Sequence, residues 1–361
     1  MSNKFLSLRP FLSSLFSFVV IASLCLMPTL RVTAQIAGDI TYGNVIGNPP
    51  GPRNVKNVLV ESTVGTPYVS FTTVFPSGSY TLSGYNPNVT YTITPSKPGG
   101  TNGAISSFDA ARIAQHVTGS VLLTGNQLVV ADLSGNNTIN SLDAAKLAQY
   151  VAALPFSPPN FSGTWRFYTV ASVPFPPGAT PMGRTYLPTI PGSVPSQDYT
   201  GLLMGEITGN WNPAIHPRPA KGTERSTAVS LPSLVTPADN EVLIPVSIQG
   251  AANKGIISYE FDLRYDPSVI KPQENPVDVA GTVSRGLSVV TNANEPGHLR
   301  VVMYGPMAID ENGLLLNLRF TAVGDAGSVS PLTWERIMFN EGNPQTIATD
   351  GRLELSAAVS N

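Results

Sequence analysis

One cysteine and three histidines in 361 residues leave no thiolate cluster, no Cys/His metal centre and no disulfide. Charge is also scarce. Only 12% of residues are charged, against roughly 25% in an average soluble domain. With 21 basic and 23 acidic residues the formal net charge is -2, so the chain has no basic footprint for nucleic acid. No apolar run beyond residue 34 has the roughly 20 residues a membrane-spanning helix needs. What is abundant is punctuation, with 32 glycines and 33 prolines, a texture that suits short strands and turns. The length suggests two or three domains. The expectation is a β-rich, multidomain chain that meets other surfaces.

The N-terminus reads as an export signal. Lys4 and Arg9 precede an apolar run from Phe11 to Met27, followed by Pro28 and by Val32-Thr33-Ala34. A positive start, an apolar core and a small-x-small exit are the parts of a secretory signal peptide. Cleavage after Ala34 would remove Cys25 and the basic residues Lys4, Arg9 and Arg31. The alternative is a membrane anchor, for which the run is short and Pro28 badly placed. The expected product is secreted, at or near the cell surface.

An internal repeat follows. Asn102-Gly-Ala-Ile-Ser-Ser-Phe-Asp-Ala-Ala-Arg-Ile-Ala-Gln-His-Val117 returns 34 residues later as Asn136-Asn-Thr-Ile-Asn-Ser-Leu-Asp-Ala-Ala-Lys-Leu-Ala-Gln-Tyr-Val151, identical at nine of sixteen positions. Each copy is apolar at i, i+3, i+4 and i+7 (Ala110, Ile113, Ala114, Val117; Ala144, Leu147, Ala148, Val151), which predicts two short amphipathic helices.

Before the second helix, oxygen-bearing side chains occupy positions 1, 3, 5, 9 and 12 of a loop: Asp132, Ser134, Asn136, Asn140 and Asp143. Thr138, at position 7, offers its carbonyl. Calcium takes six to eight oxygens in flexible geometry, and a twelve-residue loop with this spacing wraps the ion. The alternative is a polar turn leading into a capped helix. With two carboxylates the affinity should fall in the extracellular range of roughly 10⁻⁴ to 10⁻³ M. Asn137 stands where glycine usually makes the sharp turn, and Asn tolerates positive φ well. In the first copy Pro98 and Gly100 take positions 1 and 3, leaving Asn102, Ser106 and Asp109 with the Ala104 carbonyl as a degenerate loop. Further on, Glu206-Ile-Thr208-Gly-Asn210 copies the 1-3-5 spacing of Asp132-Leu-Ser134-Gly-Asn136 and would offer the ligands the first loop lacks.

The duplicated loop and helix over residues 96–155 resembles a type I dockerin, the calcium-dependent plug that cellulosomal proteins insert into cohesin receptors. The resemblance implies partner contacts just before position 12 and one to two turns along the helix: Ser107, Phe108, Ala114 and Gln115, or Ser141, Leu142, Ala148 and Gln149. The near-symmetry implies two binding orientations.

Residues 35–95 alternate in short apolar runs, such as Tyr68-Val-Ser-Phe-Thr-Thr-Val74 and Val89-Thr-Tyr-Thr-Ile-Thr94, which describe a small antiparallel sandwich. Ser77-Gly-Ser-Tyr-Thr-Leu and Tyr91-Thr-Ile-Thr-Pro resemble carboxypeptidase-regulatory-like, prealbumin-type domains. The resemblance implies a stabilising partner of the dockerin or a sugar-binding surface. Residues 156–212 are rich in proline yet keep Trp165, Phe167, Tyr168, Tyr186, Tyr199 and Trp211. They are expected to be an irregular segment wrapped on the helices, since disordered linkers are poor in aromatics. Residues 213–224 read as a linker.

Beyond it, Val242–Ile248, Ile257–Tyr265, His298–Tyr304 and Leu314–Ala322 read as strands of a second sandwich over 225–358. Ile257, Tyr259, Phe261, Leu263 and Tyr265 should face one way and Ser258, Glu260, Asp262 and Arg264 the other. Pro-Val-Ser-Ile248, Tyr259-Glu-Phe-Asp-Leu-Arg-Tyr-Asp-Pro-Ser-Val-Ile270 and Leu316-Asn-Leu-Arg-Phe-Thr-Ala322 resemble a cohesin with its jelly-roll-like sandwich. That resemblance places Ser258 and Glu260 on the dockerin-binding face, where the alternative is a solvated strand surface.

The fold class expected is therefore mainly β and multidomain: two sandwiches and a small helical calcium module. The function expected is non-catalytic, calcium-dependent assembly with cohesin- or dockerin-bearing proteins, linked to polysaccharide binding or breakdown. A carbohydrate-binding or adhesive surface protein is the alternative. A third reading has the sandwich grip its own helices, closing the chain, or a neighbour's, giving a filament. No pair of carboxylates has the arrangement glycoside hydrolysis needs, and His116, His216 and His298 sit in unrelated contexts.

Overall fold

The computed structural model describes residues 34–357 except 45–52, 66–67, 75, 87–88, 156, 170–178, 182, 187–192, 214–225 and 239. The expected signal peptide, apart from Ala34, and nearly all of the expected linker lie outside the described residues. The architecture is mainly β: two sandwiches with a helical insert.

The first sandwich is discontinuous in sequence. β1 (Ala34–Tyr42), β2 (Leu59–Val64), β3 (Ser70–Thr72), β4 (Ser79–Tyr85) and β5 (Tyr91–Ser96) precede the helices. β6 (Trp165–Thr169), β7 (Arg184–Tyr186), β8 (Ser193–Val194) and β9 (Tyr199–Leu203) follow them. One sheet runs β4-β1-β9-β6 with β8 paired to β1, and the other runs β3-β2-β5-β7. β9 lies parallel to β1, with Ile40 opposite Tyr199, and β6 closes antiparallel with Trp165 opposite Leu203.

This corrects the reading of residues 156–212 as an irregular wrap: they supply four strands to the sandwich that residues 35–95 begin. The aromatics explain why. Trp165, Phe167, Tyr199 and Trp211 are buried with Ile36, Ile40 and Leu82 in one core, and the central β9 is buried throughout. Dense proline hid these strands, two of which, β8 and β9, pair with β1 across the whole helical insert.

The insert holds α1 (Ser107–Thr118), α2 (Asn126–Ala131) and α3 (Ser141–Val151). α1 starts on a Ser106 cap closed by Asp109, and α3 repeats this with Asn140 and Asp143. Each is a capping box that satisfies two orphan amides. Ala110, Ile113, Ala144, Leu147 and Ala148 are buried as the periodicity predicts, whereas Val117 turns outward at the end of α1. Gly119 stops that helix in the left-handed region at φ 76°.

The second sandwich starts at β10 (Ser226–Ser230), β11 (Ser233–Pro237), β12 (Glu241–Gln249), β13 (Ile256–Arg264) and β14 (Ile270–Asp278). It continues with β15 (Ser288–Asn292), β16 (His298–Ile309), β17 (Gly313–Ala322), β18 (Val329–Phe339), β19 (Gln345–Thr349) and β20 (Gly351–Ser356). The sheets run β14-β17-β12-β10-β19 and β11-β20-β18-β13-β16-β15. Alternate residues of β12 (Val242, Ile244, Val246, Ile248) meet Tyr259, Phe261 and Leu263 of β13 in its core.

β13 departs from the simple alternation in two ways. Ser258, Glu260 and Asp262 are buried too, at 0%, 3% and 8% exposure, because that face is covered rather than solvated. A bulge between Ile256 and Ser258 also rotates Ile257 away from Tyr259 and onto the covered face.

Candidate functional site

The covered face is where the two halves of the molecule meet. α1 lies across β13 and β16, and α3 touches β16. Ile257, Val302 and Tyr304 belong to the hydrophobic cluster of the helices and first sandwich, not to the core of their own sandwich.

The polar contacts start at the helix N-terminus. The Ser107 amide donates to Glu260 Oε2 at 2.7 Å, a buried bond at the positive end of the helix dipole. Arg336 donates to the other carboxylate oxygen. Burial raises the Glu260 pKa, and the Arg336 charge and the Ser107 bond oppose that rise. Farther along, Gln115 Nε2 donates to the Pro306 carbonyl at 3.4 Å. At the end of α3, Asn292 Nδ2 donates to the carbonyls of Ala152 and Ala153 at 2.8 and 3.2 Å.

Of the residues expected to meet a partner, Ser107, Gln115, Ser258 and Glu260 therefore lie at this junction. Phe108 and Ala114 are partly buried against the joint core. The second set divides. Ser141 and Leu142 are exposed, Leu142 at 49%. Gln149 is half-buried. Ala148 is fully buried and presents no surface, which corrects its assignment. Of the two orientations that the repeat allows, the structure shows the one with α1 foremost.

Arg336, Asn292, Val302 and Tyr304 were not singled out from the sequence. For the last two a signal existed: Val301-Val-Met-Tyr304 is apolar without interruption, the mark of a strand covered on both faces. Arg336 and Asn292 carry no comparable signal.

The loop before α3 gathers the predicted oxygens. Asp132 Oδ1 accepts from the amides of Gly135 and Asn136 at 2.8 and 3.1 Å, and Oδ2 from Asn137 at 2.9 Å. Asp143 reaches back, Oδ1 accepting from Leu133 and Ser134 at 3.0 and 2.9 Å and Oδ2 from Asn140 at 3.0 Å. Asn137 adopts φ 63°, as its place in the turn requires. Asp132 and Ser134 are buried and their side-chain oxygens lie 3.4 Å apart. Among the described residues no three His, Cys, Asp or Glu side chains cluster as a metal centre. A cation here would draw on two carboxylates and on neutral oxygens of Ser134, Asn136, Asn140 and the Thr138 carbonyl. That all-oxygen set fits a hard divalent ion.

The first copy forms no such loop. Its early residues are drawn elsewhere: the indoles of Trp165 and Trp211 donate to the carbonyls of Gly99 and Gly100, each at 2.9 Å. Asn102 Nδ2 donates to the Asn212 carbonyl at 2.9 Å. Ala104 is buried, and Ser106 serves as the helix cap. Asp109 Oδ1 instead accepts from the Ile207 amide, 98 positions away in sequence, at 2.8 Å. Ser106 and Asp109 stay in contact, Ser106 Oγ donating to Asp109 Oδ2 at 3.3 Å, while the Asn102 side chain turns to Asn212.

Two family models match. Residues 227–353 match the cohesin domain and residues 101–152 the dockerin type I domain. Among solved structures, the seventh ScaB type I cohesin from Pseudobacteroides cellulosolvens is 18% identical. It covers 37% of this chain and 94% of that one, with a TM-score of 0.32. A non-cellulosomal cohesin from the archaeon Archaeoglobus fulgidus is 20% identical, covering 37% and 92%, with a TM-score of 0.31. A cohesin from Clostridium acetobutylicum is 19% identical, covering 37% and 92%, with a TM-score of 0.32. No curated protein matches the chain.

Proposed function

We propose that this chain is an exported, non-catalytic adaptor whose cohesin-type sandwich pairs, with calcium, with dockerin-type helices: its own in the closed form, and those of other chains by exchange. Cohesin and dockerin domains bind dockerin- and cohesin-bearing proteins, and both kinds are present here. The observation that carries the reading is the Ser107–Glu260 bond, sealed beneath α1 where the two modules meet. A buried carboxylate is tolerated only where charge and donors are waiting for it, and Arg336 and the helix terminus supply both.

In this reading Asp132, Ser134, Asn136, Asn140, Asp143 and the Thr138 carbonyl hold calcium, which would stiffen the entry to α3. The first sandwich, assigned on its Ser77–Leu82 and Tyr91–Pro95 motifs to the carboxypeptidase-regulatory-like type, supports the helices it encloses. A sugar-binding or adhesive role has less support: Trp165 and Trp211, candidates for a stacking platform, are buried at 8% and 1% exposure. The link to polysaccharide breakdown rests on the company such modules keep.

The test is light scattering of the full chain, first with calcium and then with chelator. Two differently tagged copies are then mixed without calcium, calcium is restored, and one tag is captured. The reading expects a compact monomer with calcium, a larger radius without it, and co-capture after mixing. An unchanged radius together with no co-capture would defeat it.

A further inference from the structure

We propose a second divalent-cation site, split across the chain, in which Glu206, Thr208 and Asn210 supply the first half of a calcium-type loop to the helix that opens at Asp109. Residues 206–210 lie outside the segment matched to the dockerin type I domain, yet they take the place that the first copy's own residues vacate.

The intact loop provides the comparison. There the position-12 carboxylate of Asp143 accepts from the amide after Asp132, at 3.0 Å. Asp109 accepts likewise from the amide after Glu206, at 2.8 Å. Asp132 Oδ1 takes the Asn136 amide at 3.1 Å, and Glu206 Oε1 takes the Asn210 amide at 2.9 Å. The position-3 hydroxyls, Ser134 and Thr208, lie 3.4 and 3.2 Å from those carboxylates. At position 4 Gly135 and Gly209 adopt φ 71° and 77°. A loop interrupted by 96 residues of chain thus closes with the same contacts as a continuous one.

Two further observations point to a ligand. Asn210 Oδ1 is enclosed and accepts no hydrogen bond. Its counterpart Asn136 Oδ1 is satisfied by the Thr138 amide at 2.9 Å, but the chain beyond Asn210 departs to bury Trp211, and among the described residues no such donor reaches Asn210 Oδ1. Enclosed amide oxygens seldom go without a partner, and a hard cation is a partner this position suits. Second, Asp109 and Glu206 are both 0% exposed; Tyr42 and Asn44 donate to Glu206 Oε2, but among the described residues no ion pair reaches either carboxylate. Buried carboxylates are ordinarily paired or coordinate a metal.

A third carboxylate comes from the other sandwich. Thr208 Oγ1 donates to Glu341 Oε1 at 2.7 Å, at the turn after β18. A cation at this junction would thus face acids from α1, from the segment after β9 and from the cohesin-type sandwich. Having more carboxylates than the Asp132 loop, it should bind calcium more tightly, and it would strengthen the docking of the two modules. The inference is independent of which partner the chain exchanges with.

Calorimetric titration of calcium chloride into the chelator-stripped full chain tests it. Wild type should take two ions. Asp132→Ala with Asp143→Ala should remove one, and Thr208→Ala with Asn210→Ala should remove the other or weaken it at least tenfold. Both residues of the second pair are only partly buried and Glu206 is kept, so near-ultraviolet dichroism should stay native. Terbium gives a second readout, because Trp211 adjoins Asn210 and can sensitise its emission. Sensitised emission should persist in the Asp132 variant and vanish in the Thr208/Asn210 variant.

One ion in wild type, lost with Asp132→Ala plus Asp143→Ala, would overturn the split site while leaving the calcium loop intact. Unchanged stoichiometry, affinity and terbium emission in Thr208→Ala with Asn210→Ala would overturn it as well.

Discussion

Val302→Asp should open the molecule without unfolding either half. Val302 is 0% exposed, yet it belongs to the cluster beneath α1, while its neighbours Leu299, Val301 and Met303 fill the core of their own sandwich. The substitution removes apolar burial worth about 1.5–3 kcal/mol. It also places an unpaired carboxylate in the closed interface, which adds several kcal/mol. Taking about 4 kcal/mol as the minimum, the closed form loses roughly a thousandfold in population. A short tether supplies an effective concentration near millimolar, so a micromolar pairing would be closed about a thousand to one in wild type. The variant should therefore lie near even or mostly open.

Small-angle scattering and gel filtration would show the larger radius, and calorimetry would show the second sandwich melting where it did before. Val301→Asp is the contrast: the same change one residue away strikes the sandwich core and should abolish that transition. A Val302→Asp chain that keeps the wild-type radius would refute the claim that this face is an interface between separable modules.

Other consequences can be measured separately. Removing Asp143 frees three amides, those of Leu133, Ser134 and Asn140, so Asp143→Ala should cost about 1–3 kcal/mol even without calcium, read as a lower melting temperature. Gly119→Ala meets nothing within 4 Å but must hold φ 76°, so backbone strain alone should cost roughly 1 kcal/mol. A loss above about 3 kcal/mol would show that the site is crowded. Glu260 brings a pH dependence. Its pKa is raised by burial in the closed form above the ordinary 4.5, so the closed form binds more protons than the open one. Closure should therefore weaken as pH rises from about 4.5 through the raised pKa, and Glu260→Gln should flatten that slope. An equal slope in the variant would remove Glu260 as its source.

How much of this was legible in the sequence depended on how local the cause was. Helix caps, the Asp132 loop and the period of β12 rest on neighbours within a dozen residues, and their residues state them. The first sandwich was misdivided because β1 pairs with β9 across the whole helical insert, and no local pattern announces such a partner. Trp165 and Trp211 gave the right warning, since buried aromatics need a core, but not which core. β13 showed a different limit. Alternation alone left open whether Ser258, Glu260 and Asp262 face water or a partner, and only the resemblance to a cohesin pointed to a partner; here α1 replaces the water and Glu260 receives its hydrogen bond. Ile257 turned with the bulge, a backbone event that period-two reasoning has no means to anticipate.

The repeat by itself does not give the closed form one orientation. α1 and α3 share sequence, capping chemistry and the small residues that let a sheet approach, so pairing on helix surface alone would be close to symmetric. The asymmetry comes from what leads into each helix. At α3 the chain enters through its own loop, and Ser141 and Leu142 remain exposed. At α1 the residues that should precede it are held by Trp165, Trp211 and Asn212, and the segment after β9 fills the vacancy. That segment carries Thr208, which meets Glu341, a contact with no counterpart at α3 among the described residues. The sandwich thus finds Ser107 for Glu260 and Thr208 for Glu341 at one helix end only. Thr208→Val should therefore narrow the preference between the two orientations while leaving the Ser107–Glu260 bond in place. Cross-linking of cysteines introduced at Leu142 and Met307 would register any population that turns over.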